Sequence, residues 1–232
     1  MTGEVHILGL ILQSALRSAL LGVCVYGALK LFRLRDLRTE TAIWTVVLLI
    51  ATATPFLGAW APGLTVRLPA WPAHGAAAAA SSTQPAGAGD HRAWTLVLAV
   101  YLLVAAACLV RVAVGLLLSW RLCARAEPVL EPWVQGRDIR VSPDVDSPLS
   151  LAAVIVLPAD YGEWSEAKLA AVLAHEESHV RRGDFFIQLL ASAHRALFWF
   201  SPFAWWLPLR LGELAETASD AAAMQRIADP AG

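Results

Sequence analysis

Three long apolar runs limit how this chain can fold. Residues 5–32, 41–61 and 94–120 each reach the length of about 20 apolar residues that a helix needs to cross a bilayer. Hydrocarbon offers no water to bond a peptide N–H or C=O, so each run must satisfy its backbone internally and is expected to be helical. Composition agrees: 57% of the 232 residues are hydrophobic, ten are tryptophan and only 16% are charged, against about 25% charged in soluble domains. A multi-pass protein of the cell membrane is expected, with the lipid bilayer as its surroundings.

The first run, Val5 to Phe32, is broken mainly by Gln13, Ser14, Arg17 and Ser18. It is expected to be retained, because residues 1–6 carry Glu4 and no Lys or Arg, and its apolar stretch exceeds that of a cleaved leader. Lys30, Arg33, Arg35 and Arg38 crowd the turn that follows, whereas the longer segment 62–93 holds only Arg67 and Arg92. Cationic loops stay cytoplasmic. The N-terminus and 62–93 are therefore expected outside, and everything after Trp120, beginning with Arg121 and Arg125, in the cytoplasm. Residues 70–90 are low in complexity and too poor in apolar bulk to build a core, so a flexible external loop is expected there. The chain divides into a membrane part, 1–120, and a cytoplasmic or membrane-proximal domain, 121–232. Arg17 and Arg111 lie inside apolar runs, where a charge either faces inward for a purpose or snorkels to the surface.

Formal net charge is −1, which gives no electrostatic case for direct nucleic-acid binding. Cys24, Cys108 and Cys123 have no spacing that suggests a metal site or a disulfide.

Beyond the third run the pattern changes. Pro128, Pro132, Gly136, Pro143 and Pro148 punctuate short segments, of which 138–141 and 153–157 read as strands of a small sheet. Residues 153–157 are a candidate edge strand on which an extended peptide could lie. Residues 185–211 are apolar again, interrupted by His194, Arg195, Ser201, Pro202 and Pro208. A membrane-embedded or interfacial helix pair turning at Ser201-Pro202 is expected rather than a crossing.

Between these segments lies His175-Glu176-Glu177-Ser178-His179, an H-E-x-x-H sequence. Residues four apart share a helix face, so two imidazoles reach one ion while Glu176 projects beside them. Leu169, Val172, Leu173 and Val180 give the helix a core-facing stripe, Ser165 a cap and Gly183 a stop. Zinc in a catalytic site takes three protein ligands and keeps one position open. Downstream, Glu213 and Glu216 are available, and Glu216 begins an E-x-x-x-D element that sets Asp220 one turn further along. In this reading His175, His179 and Glu216 bind Zn2+, Glu176 is the general base, and Asp220 bonds the second nitrogen of a ligand histidine. His6, His74, His91 and His194 are left outside the site, the last as a polar position on a supporting helix.

The ordered set Ser147-Pro148, Val154 to Pro158, Leu173 to His179, Arg181 to Asp184, Trp199 to Pro202 and Glu216 to Asp220 resembles the integral-membrane zinc peptidases of the BlaR/MecR, β-lactam sensor-transducer type. The resemblance implies a membrane α-helical protein with a small α+β zincin domain, gluzincin-like, and adds Asp184 to Asp220 as a residue supporting the ligands. It implies cleavage of a protein substrate, a transcriptional repressor or the chain itself, in signal transduction. Those receptors continue into an external penicillin-binding domain, whereas this sequence stops twelve residues after Asp220. No S-x-x-K acylation motif is expected in the chain, and the signal is expected to come through residues 62–93, the membrane or a separate sensor protein. The alternatives are a quality-control or prenyl-protein zinc peptidase and a non-catalytic membrane scaffold.

Overall fold

The computed structural model describes residues 3–34, 36–60, 89–134 and 136–228. The expected external loop falls almost wholly in 61–88, outside the described residues, as do Arg35, Arg67 and His74.

Each apolar run is a helix: α1 is Gly3–Leu31, α2 Leu37–Trp60 and α3 Gly89–Arg125, and all three are long and apolar enough to cross a membrane. Asp36 opens α2 by accepting the Thr39 N–H at 2.9 Å, filling a donor that a helix start leaves without a partner. With 37 residues, α3 is about 55 Å long and outlasts the bilayer. Its last turn joins the next layer, where the Arg140 guanidinium donates to the Cys123 carbonyl at 2.8 Å.

That layer is a four-stranded sheet of order β1-β2-β4-β3, made of Glu127–Pro128, Asp138–Ser142, Leu149–Leu151 and Val154–Pro158 numbered in chain order. β2 and β4 run parallel, and the outer strands are antiparallel to their neighbours. Periodicity located β2 and β4, but β1 and β3, of two and three residues, are too short to show an alternation. The expected edge position of 153–157 is corrected: β4 is hydrogen-bonded to β2 on one side and β3 on the other, so its backbone has no free edge. The outer strands are β1 and β3. One sheet face sets Ile139, Ile155 and Leu157 against Leu173 of the next helix, and the other sets Val156 against Cys123 and Ala126.

Helix α4, Glu166–Arg182, starts and stops where its sequence dictates. Ser165 accepts the Lys168 N–H at its N-cap, and Gly183 ends it in the left-handed region at φ 67°, where a Cβ is disfavoured. Helix α5, Asp184–Leu197, has 14 residues and is about 21 Å long, too short for the roughly 30 Å of hydrocarbon. The chain turns over Phe198 to Ser201, and α6, Pro202–Ala228, begins on a proline, which suits a first helical position. Pro208, expected as an interruption, lies inside α6 without ending it, and its carbonyl accepts from the Gln188 amide at 3.3 Å.

The tip of this hairpin sits halfway along the spans. Phe198 and Ala204 pack on Ala15 in the middle of α1, and the Tyr101 hydroxyl of α3 donates to the Leu197 carbonyl at 2.9 Å. His194 is buried, with Nδ1 3.3 Å from the Thr52 hydroxyl of α2. So α5 and α6 enter among the spans and return to the side they came from. One core joins them: Leu29 of α1, Trp44, Val47 and Leu48 of α2, Ala191 of α5, and Leu207, Leu211 and Leu214 of α6. Arg111 lines a groove between α3 and α5 together with Arg195.

Contact between α6 and α1 is closest at Gly22, where the Phe203 ring occupies the place a Cβ would take, whereas Gly27 faces open space. Gly22→Leu should lower the thermal midpoint of the detergent-solubilised protein through an overpacking cost of about 1–3 kcal/mol, with Gly27→Leu near neutral. Equal shifts would show that the α1–α6 contact does not hold the hairpin.

Candidate metal centre

The spacing of the motif becomes geometry on α4. His175 and His179 project from one face with their Nε2 atoms 3.3 Å apart. Across from them, Glu216 of α6 brings one oxygen to 3.6 Å from His175 Nε2 and the other to 3.7 Å from His179 Nε2. One donor atom from each of the three lies within 4.8 Å of the others, as one ion shared between them requires. Glu213, the other carboxylate available from sequence, instead pairs with Arg210 at 2.9 Å.

The outer nitrogens of both histidines meet carboxylates. His179 Nδ1 lies 2.8 Å from Asp184 at the start of α5, and His175 Nδ1 lies 3.2 Å from Asp220 on α6. An Nδ1–H held by a carboxylate leaves the Nε2 lone pair free for a metal and fixes the ring plane. The two supports differ in burial: the Asp184 side chain is 9% exposed and that of Asp220 73%. Hydrogen bonding to Asp184 raises the His179 pKa against the opposing effect of burial. Burial works to raise the Asp184 carboxyl, but bonds from His179 and Arg182 prevail and hold it below the usual carboxylate range.

Arg182 ties these elements together, a role that its place in the sequence did not reveal. Its guanidinium donates to Asp184 at 2.6 Å, to the fully buried Ser219 hydroxyl at 2.7 Å and to the Ala215 carbonyl at 3.0 Å, and it also bonds Ser178. One planar group thereby joins the end of α4, the start of α5 and the turn of α6 that carries Glu216. Arg182-Gly183-Asp184 was visible as a helix stop, but Ser219 is 37 residues away, beyond any local periodicity.

Glu176 is 8% exposed, and its charge lies close enough to contribute to the raised pKa of His179. Its neighbour Glu177 faces away and pairs with Arg137 at 2.8 Å. Beside α4 runs a cleft of about 800 Å³ whose walls include Trp133, Arg137, Ala174, Glu177 and Arg181. The Glu216 side chain is 65% exposed, so the centre opens to solvent. Two imidazoles, one carboxylate, occupied outer nitrogens and an open side together fit a divalent metal with a free position.

The sequence pattern of a known family, described as BlaR1 peptidase M56, matches residues 10–230. The chain belongs to the BlaR1 peptidase M56 family. That family is one of metallopeptidases, and the match takes in α2 to α6 whole and most of α1. The Regulatory protein BlaR1 of Bacillus licheniformis is 28% identical over 89 residues, 37% of this chain but 15% of that protein's length.

The expectation that the chain holds no S-x-x-K motif is corrected by Ser165 to Lys168. Its serine caps α4, accepting the Lys168 N–H at 3.3 Å, while the Lys168 ammonium lies 4.0 Å over the Trp164 ring. Neither group is set up as a nucleophile–base pair.

Removing the histidine supports should weaken metal binding by about 10–100-fold each. Asp184→Ala is expected to cost more than Asp220→Ala, since Asp184 is the buried partner. Competition with a chelator of known affinity measures both, and unchanged affinity in the pair would rule out the support role. Arg182→Ala should act the same way by releasing Asp184 and α6 together.

Proposed function

We propose that this chain is a zinc-dependent endopeptidase of the membrane, with His175, His179 and Glu216 as ligands and Glu176 as general base. The observation that carries this reading is the convergence of three donors with both outer imidazole nitrogens held by carboxylates. Two nitrogens and one carboxylate oxygen suit zinc's borderline character and tetrahedral habit. A zinc ion in that set would supply a Lewis acid that polarises the scissile carbonyl and acidifies water. Glu176, from its sheltered place beside the ligands, would take the water proton and deliver it to the leaving amine. β3, Leu149–Leu151, is an outer strand of the sheet and would offer main-chain groups to an extended substrate.

The site is proposed to face the cytosol. Lys30 in the last turn of α1, Arg33 just after it, Arg38 in the first turn of α2, and Arg121 and Arg125 at the end of α3 support that orientation. The N-terminus and residues 62–93 are then outside, and the part after residue 120 is cytoplasmic or membrane-proximal. Likeness to a protein named as regulatory supports limited cleavage in signalling, of a repressor or of the chain itself.

Glu176→Gln should lower proteolysis by about 10²–10⁴-fold while the purified protein keeps its metal. Mass spectrometry of cellular proteins cleaved by wild type and spared by the variant would name the substrate. Undiminished cleavage by Glu176→Gln would sink the reading. A cysteine placed at the exposed Asp146 should react with a membrane-impermeant thiol reagent in inside-out vesicles and resist it in intact cells. The reverse pattern would invert the topology.

A further inference from the structure

A second polar cavity lies where the spans end. About 540 Å³ in volume, it opens between the last turns of α1, the first turn of α2 and the middle of α6, and its walls include Tyr26, Lys30, Arg33, Trp206 and Arg210. The spans end here, so the cavity is level with the lipid headgroups whichever side faces the cytosol. Tyr26 and Trp206, in edge contact at 6.1 Å, are the residue types that sit at that level.

Charge decides what the cavity takes. The Arg210 guanidinium is already held by Glu40 at 2.6 Å and Glu213 at 2.9 Å. Among the described residues, Lys30 has the Tyr26 ring 5.6 Å away and no ion pair, and Arg33 forms no ion pair either. Local backbone geometry keeps these two cations together. Arg33 adopts a left-handed φ of 51°, rare for a residue with a Cβ, and α1 is closed around it by the Leu34 N–H bonding the Leu29 carbonyl at 3.2 Å. Glu40 and Glu213 line the same cavity but are turned to Arg210, so a bent chain end with Lys30 and Arg33 over an aromatic pair leaves net positive charge, shaped for an oxyanion that carries an apolar tail.

We propose that this cavity binds the phosphate headgroup of an anionic phospholipid, with Lys30 and Arg33 on the phosphate oxygens and Leu29 and Trp206 against the start of the acyl region. The site is separate from the metal centre and does not depend on peptidase activity.

Native mass spectrometry of the purified full chain, after exposure to mixed micelles containing phosphatidylglycerol or phosphatidylcholine, tests it. Wild type should retain phosphatidylglycerol in preference to phosphatidylcholine, and Lys30→Gln/Arg33→Gln should lose about tenfold in that retention. Arg121→Gln/Arg125→Gln, which removes the same charge at the end of α3, should retain the lipid. Equal loss in both double variants would show general surface attraction and overturn the site. Equal retention of the two lipids would overturn it too, as would full displacement by millimolar inorganic phosphate, which would mark a site for free anions. Should the first variant fail to fold, Arg33→Gln alone should lose the lipid and Arg33→Lys keep it. Indistinguishable retention by those two would equally reject the proposal.

Discussion

The metal centre depends on where α6 lies, because Glu216 and Asp220 ride on its second half while its first half is wedged among the membrane spans. In water, burying Leu207, Leu211 and Leu214 would stabilise the fold by about 1.5–3 kcal/mol each. Among lipid tails that difference largely disappears, since an apolar side chain is as well solvated by lipid as by protein. Close packing and polar ties must hold the hairpin instead. Gly22 admits the Phe203 ring, Arg210 reaches Glu40, and the Tyr101 hydroxyl bonds the Leu197 carbonyl. The membrane part is thus the mould in which the ligand-bearing helix is set.

At the other end of α6 the centre is fixed by a different kind of interaction. Arg182 binds the junction of α4 and α5 to Ser219 and Ala215, and Asp184 and Asp220 set the two imidazoles. Each imidazole is therefore met by a carboxylate on another element, and no element alone makes the candidate site. Arg210 ties α2 to α6 through Glu40, and it lies on α6 less than two turns from Glu216.

Much of this was legible beforehand because it rests on local rules. The three spans follow from length and apolarity, α4 from its stripe and from Ser165 and Gly183, and the re-entrant hairpin from the need for Glu216 to return to the level of His175. Glu216, preferred over Glu213 for its E-x-x-x-D element, comes near both imidazoles, whereas Glu213 pairs with Arg210. What stayed hidden was long-range or very short. β1 and β3 have too few residues for a period, the inner position of β4 depends on which strands flank it, and the partners of Arg182 are on another helix. The literal S-x-x-K at Ser165 shows the converse, a motif whose residues serve as a helix cap.

The sequence by itself determined the elements and their chemistry: membrane helices, because a backbone in hydrocarbon has no other way to bond itself, and an H-E-x-x-H helix, because residues four apart share a face. The tertiary structure alone decided which carboxylates meet which imidazole nitrogens, which strands are outermost in the sheet and how deep the hairpin enters. Those are relations between distant segments, and they arise from packing and from ion pairs that no single stretch of chain contains.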